Sequence, residues 1–364
     1  MKIIRGLANL LRHAERRDSG CALTIGNFDG VHRGHQAMLA LLNNEARHRG
    51  VPSCALTFEP HPRDYFAGKF RQPELAPARI STLRDKLDEL RRCGVDQCVV
   101  LRFDDQFAAM TAQGFIDEVL VRALGARYVL VGDDFRFGAQ RQGDYALLDA
   151  EGSRQGFDVA RMMSYEVHGL RVSSSAVRDA LTQGRMEDAT ALLGRPYSIS
   201  GHVVHGAKLG RELGASRAGA GDGFRTLNLR FSHWKPAASG IFAVQVHGLD
   251  PSPGAAPLPG VANLGVRPSL EPSDVNGGRV LLETHCLDWP ASLRDHLRHG
   301  AVPAEAYGKI IRVELLHKLH DELKYDSLDA LTQGIARDCD DARAYFAHLA
   351  PHAAVRRQTT RDRI

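Results

Sequence analysis

Residues 24–35 read TIGNFDGVHRGH, and this stretch decides the fold of the first half of the chain. It follows an apolar run at residues 21–26 and precedes a helical pattern that carries Met38, Leu42 and Ala46 on one side. Gly26 and Gly30 permit a tight turn and a close approach of the backbone to a ligand. Free backbone N–H groups at a helix start favour an anion. The stretch therefore predicts a phosphate site between a buried strand and a helix.

Two histidines lie within this turn. His32 and His35 are spaced i, i+3, so they share one face at the start of the helix. Two imidazoles aimed at one place bind phosphate and stabilise charge that develops on it. A zinc site is the alternative for two close histidines, but no third ligand stands at a suitable spacing.

The first half alternates short apolar runs with helical patterns. Further runs lie at residues 54–58, 97–101 and 128–132, and the segments between them have apolar residues every three or four positions. Strands that are apolar on both faces and separated by helices indicate a parallel sheet covered on both sides. This half is predicted to be a doubly wound α/β domain. A short amphipathic helix is predicted at the N-terminus from Ile3, Ile4, Leu7, Leu10 and Leu11.

The second half has the pattern of an antiparallel barrel with a final helix. Short strand-like runs at residues 226–231, 241–246, 280–287 and 310–316 are separated by clusters of Gly and Pro. The final helix is predicted from one apolar face, with Ser327 as its cap. The predicted domains are residues 1–186, residues 187–350, and a basic, disordered tail at 351–364.

Composition limits the partners and the compartment. The net charge is +4, of which the arginines of residues 351–364 account for most, so there is little support for a nucleic-acid partner. No run approaches the ~18 apolar residues that a membrane span needs. The six cysteines form no CxxC pair, which favours buried thiols in a reducing compartment. We therefore expect a cytoplasmic protein that binds neither membrane nor nucleic acid.

The histidine turn resembles a known family. HRGH is similar to the HxGH signature of the nucleotidyltransferase superfamily, and GNFDGVHRGH resembles the FMN adenylyltransferase half of the prokaryotic bifunctional riboflavin kinase/FAD synthetases. Further matching pieces are FEPHP at 58–62, VGDDFRFG at 131–138 and VSSSAVR at 172–178. The resemblance implies a Rossmann-like domain that transfers AMP from ATP to FMN and releases pyrophosphate.

The same resemblance assigns residues to this reaction. It places two catalytic histidines, His32 and His35, on the ATP phosphates and the transition state. Residues implied to bind ATP and its phosphates at the turn are Gly26, Asn27, Phe28, Asp29, Gly30 and Gly34, of which Asn27, Asp29 and Gly30 are implied to shape it. Residues implied to hold the leaving pyrophosphate are Ser174, Ser175 and the catalytic Arg178. Residues implied to surround the flavin are Phe58, His61, Pro62, Asp134 and Phe135.

The second half resembles riboflavin kinases. GHVVHGAKLGR at 201–211 is similar to the kinase's phosphate loop, with Gly206, Lys208, Gly210 and Arg211 implied to bind phosphate. Thr226 and Asn228 stand where the family's Pro-Thr-Ala-Asn element holds Mg²⁺ and nucleotide phosphates. Glu283 matches the general base for the riboflavin 5′-hydroxyl. Arg343, in the closing piece, is assigned to flavin binding.

One departure bears on the kinase. Residues 215–223 form a Gly/Ala-rich insert beside the phosphate loop, and Arg225 stands where the family has proline. The leading interpretation is a synthase that makes FMN from riboflavin and then FAD, with ATP and Mg²⁺ at each step. Two alternatives stay open, namely an adenylyltransferase with an impaired kinase and a non-catalytic flavin-binding protein. The sequence leaves self-association undecided.

Overall fold

The structure is a computed structural model that describes residues 1–15, 19–163, 165–167, 170–205, 224–231, 235–250, 252–267, 279–289 and 306–361. It divides into two compact units. Unit 1 comprises residues 1–177 and 192–194, and unit 2 comprises residues 178–191 and 195–364. The sequence predicts a change of domain between residues 186 and 187. In the structure, the units divide within the helix Ser174–Thr182 and near the end of the helix Met186–Leu193, at whose first residue the predicted boundary falls.

Unit 1 is built on a six-stranded parallel sheet with the strand order β1-β4-β3-β2-β5-β6. The strands are β1 (Lys2–Arg5), β2 (Cys21–Ile25), β3 (Ser53–Glu59), β4 (Gln97–Arg102), β5 (Ala126–Gly132) and β6 (Asp158–Met162). Every residue of β2 is buried, as expected for a central strand that is covered on both faces. The predicted α/β fold is confirmed. A two-stranded hairpin follows, made of β7 (Glu166–Val167) and β8 (Leu170–Arg171).

Helices cover both faces of this sheet. They are α1 (Leu7–Ala14), α2 (Arg33–His48), α3 (Pro62–Phe70), α4 (Leu83–Arg92), α5 (Asp105–Ala108), α6 (Ala112–Gly114) and α7 (Tyr145–Gln155), with a π-helical segment at Phe115–Ala123 and 3₁₀ turns at Pro73–Leu75 and Ala139–Arg141. Leu42 of α2 packs with Ala22 of β2, whereas Leu120 of the π-helical segment packs with Leu23. Because successive strand residues point to opposite faces, the two helices lie on opposite sides of the sheet.

The predicted N-terminal helix is only partly right. Ile3 and Ile4 belong to strand β1, which pairs in parallel with β4, and the helix α1 starts at Leu7. Gly6 separates the two elements with a φ of 80°. The free edge of β4 offers the backbone of residues 2–5 a row of hydrogen bonds, and this non-local pairing prevails over the helical spacing of the apolar residues.

Unit 2 is an antiparallel barrel preceded by α8 (Ser174–Thr182), which begins in unit 1, and α9 (Met186–Leu193). The strand order is β10-β13-β12-β11-β14-β9, and a bridge between Val204 and Asn228 nearly closes the ring. The strands are β9 (Tyr197–His202), β10 (Leu227–Phe231), β11 (Gly240–His247), β12 (Leu258–Arg267), β13 (Arg279–Cys286) and β14 (Ile310–His320). The predicted barrel is confirmed, and β12 is a strand that the sequence analysis did not identify.

A final helix, α10 (Leu328–Arg361), packs on one face of the barrel. The Ser327 hydroxyl accepts a hydrogen bond from Ala330 N at 3.1 Å, which confirms the predicted cap. Cys339 and Ala342 of this helix pack against Ala243 and Val261. The helix continues to Arg361, through residues that the sequence analysis assigns to a disordered tail. In the part of the chain that the structure describes, none of the helices is both long and apolar enough to traverse a bilayer.

Candidate functional site

The phosphate turn between β2 and α2 has an unusual backbone. Phe28, Gly30 and Val31 have φ values of 46°, 84° and 40°. A Cβ at Gly30 would lie 2.7 Å from Ile80 Cγ2, so only glycine fits there. Residues other than glycine pay about 1–2 kcal/mol for this conformation, so the surroundings must hold the turn in place.

Buried hydrogen bonds of Asp29 stabilise the phosphate turn. Its carboxylate accepts hydrogen bonds from Ile80 N at 3.2 Å and from Ser81 N at 3.1 Å. The Ser81 hydroxyl in turn accepts one from Gly30 N at 3.0 Å, and the Ser174 hydroxyl donates to Asp29 O at 3.1 Å. Asp29 is buried and does not line the cavity described below. Its position therefore fits the shaping of the turn.

A buried arginine lies beside Asp29. Arg79 contacts the carboxylates of Asp64 at 2.7 Å, Glu59 at 3.5 Å and Asp29 at 3.8 Å. Burial opposes the charge of the guanidinium, but the three carboxylates raise the pKa of Arg79 above its usual value. Burial raises the pKa of Asp64 even beside this cation. Arg79 was not predicted as a site residue, because its three partners lie 15 or more positions away along the chain.

The two histidines stack at the start of α2. Their ring centroids are 3.7 Å apart, and His32 Nδ1 accepts a hydrogen bond from His35 N at 3.3 Å, so His32 is the N-cap of the helix. Burial, then the charges of His32 and Lys86, hold the pKa of His35 well below its usual value. The buried Nδ1 atom of His35 makes no hydrogen bond to the described residues. Burial therefore favours the neutral form of the His35 imidazole, whose Nδ1 atom has no partner among the described residues.

A cavity of about 920 Å³ opens at this turn. Its polar lining includes Asn27, His35 and Ser174, and its walls carry many phenylalanine rings. The rings come from several separate segments of unit 1 and are Phe28, Phe58, Phe66, Phe70, Phe103, Phe107, Phe115, Phe135 and Phe137. The volume lies at the upper end of the range for small-molecule sites, which is about 300–1,000 Å³. The cavity combines a polar, anion-favouring helix start with an apolar surface that suits a planar ring system.

Most of the residues predicted for this site line one cavity. They are Gly26, Asn27, Phe28, His35, Phe58, His61, Pro62, Asp134, Phe135 and Ser174. His32 and Gly34 lie behind them, and a Cβ at Gly34 would come within 3.3 Å of the His32 ring. Ser175 is exposed, and Arg178 follows Ser174 by one turn of α8. Several of the phenylalanines, such as Phe66 and Phe103, were not predicted, because isolated aromatic residues have no diagnostic spacing.

Unit 2 holds a second cavity, of about 530 Å³, between the barrel and α10. Asn228, Glu283 and Asn263 are direct neighbours across strands β10, β13 and β12, so their side chains share one face. The Asn228 amide donates to Thr226 O at 3.0 Å and lies 3.4 Å from Thr226 Oγ1. Thr226, Glu283 and Asn263 line the cavity, together with Leu331 and other residues of α10.

Two amide oxygens at this site have no hydrogen-bond partner among the described residues. Asn228 Oδ1 and Asn263 Oδ1 are buried and accept no hydrogen bond from the described residues. Leaving a buried acceptor unsatisfied costs about 1–3 kcal/mol, so an absent ligand is the natural partner. Within the described ranges, no group of three or more His, Cys, Asp or Glu side chains is placed to hold a metal ion. A hard cation bound here would take its remaining ligands from nucleotide phosphates and water.

Two further histidines border this cavity. His320 Nε2 is 2.8 Å from Asp338 Oδ1, which links the end of β14 to α10. Burial opposes the charged form, but the hydrogen bonds that the ring donates to the Asp338 carboxylate and to the backbone carbonyl of Asp321 raise the pKa of His320. His285 Nδ1 lies 2.9 Å from Arg225 O, and burial lowers the pKa of His285. The sequence analysis did not single out either histidine.

The remaining residues predicted for the kinase reaction do not add to this cavity among the described residues. Gly206, Lys208, Gly210 and Arg211 fall outside the described residues, as does the insert at 215–223. Arg225 is buried. Arg343 is exposed, forms an ion pair with Asp340 at 2.9 Å and does not line the cavity.

Known proteins match both halves of the chain. A model of the FAD synthetase family matches residues 14–176, and a model of the riboflavin kinase family matches residues 193–346. The bifunctional riboflavin kinase/FMN adenylyltransferase of Escherichia coli strain K12 is 44% identical over 351 residues, which cover 96% of this chain and 100% of that protein. The chain belongs to the bifunctional riboflavin kinase/FMN adenylyltransferase family.

Other members of this bifunctional family are similarly close. The protein named bifunctional riboflavin kinase/FMN adenylyltransferase in Haemophilus influenzae is 40% identical, with 95% of this chain and 99% of that protein covered. The crystal structure of a macrolide-efflux protein from Streptococcus pneumoniae aligns with a TM-score of 0.66 and 24% identity, covering 94% of this chain and 99% of that one. At that identity, the alignment shows the fold alone. Unit 1 is thus the adenylyltransferase domain, and unit 2 is the kinase domain.

Proposed function

We propose that this chain makes FAD from riboflavin in two ATP-dependent steps. The kinase domain phosphorylates riboflavin to FMN, and the adenylyltransferase domain transfers AMP from ATP to FMN with release of pyrophosphate. The observation that carries the proposal is that each domain has its own cavity at the residues that match its family motif. Relatives named for both activities over nearly their whole length support it.

In the adenylyl transfer, an oxygen of the FMN phosphate attacks the α-phosphorus of ATP. A new P–O bond forms, and the bond to the pyrophosphate oxygen breaks. Such a reaction needs positioning and charge stabilisation rather than a covalent nucleophile. The start of α2 and the His35 ring offer hydrogen-bond donors to the phosphates. The phenylalanines of the wall, such as Phe58 and Phe135, offer stacking surfaces to the isoalloxazine ring.

In the kinase reaction, we assign Glu283 as the general base for the 5′-hydroxyl of riboflavin. The residues fit a magnesium ion, because the buried Asn228 Oδ1 accepts no hydrogen bond from the described residues. The amide nitrogen of the same side chain lies 3.4 Å from Thr226 Oγ1, so the two side chains are neighbours. Thr226 and Asn228 would hold this ion, and Asn263 would contribute from the neighbouring strand. When bound, Mg²⁺ neutralises charge on the phosphates. The carboxylate of Glu283 accepts the hydroxyl proton and orients the attacking oxygen.

The compartment and the partners belong to the same proposal. All six cysteines are described and free, which fits a reducing compartment such as the cytoplasm. The proposed partners are the small molecules riboflavin, FMN and ATP.

The test is a pair of incubations with ATP and Mg²⁺, one started from riboflavin and one from FMN, with the flavins separated by chromatography over time. The expected result is FMN followed by FAD in the first tube, and FAD in the second. His35→Ala should stop FAD formation in both tubes while FMN still forms from riboflavin. His48→Ala, at an exposed position in the same helix, is the matched control and should behave like the wild type.

Each other outcome selects an alternative. FAD in the FMN-fed tube alone would leave an adenylyltransferase with an impaired kinase, and Arg225 would be the first residue to restore to proline. Retained flavin without product in either tube would overturn the enzymatic proposal in favour of a flavin-binding protein.

A further inference from the structure

A buried lysine lies beneath the phosphate turn. Lys86 of α4 is completely shielded from solvent, although lysine is almost never fully buried without a partner. Among the described residues, no carboxylate forms an ion pair with it, and its Nζ atom donates a hydrogen bond to Thr57 Oγ1 at 3.4 Å. Burial and the nearby charge of Arg79 lower the pKa of Lys86. The proposed chemistry does not use this residue, so its burial needs another explanation.

Thr57 connects Lys86 to the phosphate turn through hydrogen bonds. Its hydroxyl accepts from Lys86 and donates to Asn27 O at 3.3 Å. One hydroxyl can do both, because it has a single donor hydrogen and two lone pairs. Thr57 is itself fully buried in β3. A chain of two hydrogen bonds therefore runs from the Lys86 ammonium to the backbone carbonyl of Asn27, a residue that lines the cavity.

The direction of the Asn27–Phe28 peptide follows from this contact. The peptide is trans, so its C=O and its N–H point in opposite directions. The carbonyl is turned towards the buried Thr57, and the Phe28 N–H therefore points away from Thr57. The Phe28 N–H makes no hydrogen bond to any described residue, and Phe28 and His35 both line the cavity. This amide is a free donor on the same wall as the catalytic histidine.

We propose that Lys86 is a positioning residue for adenylyl transfer, which through the Thr57 hydroxyl fixes the Asn27–Phe28 peptide with its N–H towards the phosphates of ATP. The inference rests on the proposed function of this cavity. A cation at the carbonyl end of a peptide polarises it, so the amide end becomes a stronger donor to an anion. The positive φ of Phe28 makes the relay necessary, because this backbone conformation is not stable by itself.

A merely structural role for Lys86 predicts different behaviour. Lys86 lies near the carboxylates of Glu59 and Asp29, and it would then serve only to balance their charge. In that case, its removal would lower the stability of the adenylyltransferase domain without changing the affinity for nucleotide. Removal of the Thr57 hydroxyl would then have little effect on either quantity.

The test uses Thr57→Val and Thr57→Ser in the full-length enzyme. Valine preserves the shape of threonine and removes the hydroxyl, whereas serine keeps the hydroxyl. We expect Thr57→Val to raise the KM for ATP in FMN adenylylation and to lower kcat/KM by about 10- to 100-fold, somewhat less than the loss of a direct transition-state donor. Thr57→Ser should restore kcat/KM to within about threefold of the wild type. The riboflavin kinase rate of the same samples reports on the integrity of the rest of the chain.

Lys86→Met completes the design. It should reproduce the rise in KM for ATP, and the double variant with Thr57→Val should be no worse than the poorer single variant, because both remove one relay. Arg84→Met, which removes a positive charge from the exposed face of the same helix, is the control and should leave the KM for ATP unchanged. If Lys86→Met fails to fold, the comparison of valine and serine at position 57 decides alone.

Two results would overturn the inference. One is a KM for ATP that is unchanged in Thr57→Val, and the other is an equal defect in the serine variant. A wild-type enzyme that forms no FAD from FMN would instead overturn the proposed function, which is a separate outcome in the same assay.

Discussion

Replacing Arg79 by methionine removes the only cation that contacts three carboxylates beneath the phosphate turn, as far as the described residues show. The guanidinium side chain is 2% exposed, and the side chains of Asp29 and Asp64 are 1% and 11% exposed. Breaking a buried ion pair from one side costs about 3–5 kcal/mol, because the remaining charge stays buried without compensation. Against a typical total of about 5–15 kcal/mol, this is a large share of the stability of the domain.

The loss should depend on pH, with a sign that follows from the carboxylates. Burial already raises the pKa of Asp64, and the neighbouring Arg79 opposes that rise, so removing Arg79 raises the pKa of Asp64 further. The folded variant then binds more protons than the unfolded chain, so its stability falls as pH rises through that raised pKa. The deficit relative to the wild type should therefore be larger at pH 8 than at pH 5.

Hydrogen exchange measured by mass spectrometry on peptides of β2 and β3 is the appropriate assay. Comparing variant and wild type at the same pH cancels the intrinsic exchange rates. A loss of 3–5 kcal/mol corresponds to exchange that is about 150- to 5,000-fold faster, at 1.36 kcal/mol per tenfold change. Arg91→Met is the matched control, because Arg91 pairs with Asp88 at 2.5 Å with both side chains about half exposed. Such a pair contributes at most about 1 kcal/mol.

The reasoning would be refuted by exchange in Arg79→Met that is less than about fivefold faster than in the wild type at pH 8. It would also be refuted by an equal deficit at both pH values, since the carboxylates would then not carry the cost.

Three further predictions concern the two sites. Gly30→Ala should destabilise the adenylyltransferase domain by about 2–5 kcal/mol, from the positive φ and the clash with Ile80, and should show this as faster exchange in β2. Glu283→Gln should abolish FMN formation from riboflavin yet leave FAD formation from FMN intact. A loss of both activities would contradict its assignment, and Asp288→Asn at an exposed site is the control. Asp338→Asn should lower the pKa of His320 as followed by NMR, because the partner carboxylate favours the charged ring. The stabilisation from this pair is present at low pH and is lost as pH rises through the raised pKa, so the variant should differ most from the wild type in acid.

The spacing of apolar residues in the sequence predicts those helices and strands whose own residues carry a regular pattern. β2 reads as a buried strand because all of its residues are apolar or small, and α4 reads as a helix because Leu83, Leu87 and Leu90 recur at helical spacing. β12 has no such signal. Its glycines and Asn263 interrupt the alternation, and it becomes a strand because β11 and β13 pair with it on either side.

The residues of the candidate sites were likewise predictable only where a local pattern marks them. Short motifs in the sequence predict four of them, namely His32, His35, Thr226 and Asn228. Lys86 and Arg79 were not found, because a basic residue in a helix or a loop is usually solvated and nothing local indicates burial. Their partners come from distant segments, so only the folded chain brings them together. The same holds for the phenylalanine wall, where each ring by itself is an ordinary apolar residue.

The pairing of the edge strand β1 with β4 has a consequence for the folding of the chain while the ribosome makes it. Ile4 pairs with Val99, roughly 95 residues further along the chain. At about 5–20 residues per second, a ribosome needs some 5–20 s to make the partner strand after β1 has been completed. β2 and β3 are made in the meantime and can pair with each other, whereas the apolar residues Ile3 and Ile4 have no edge to join. A nascent chain arrested before β4 therefore displays an unpaired apolar N-terminus, which is a surface that chaperones recognise.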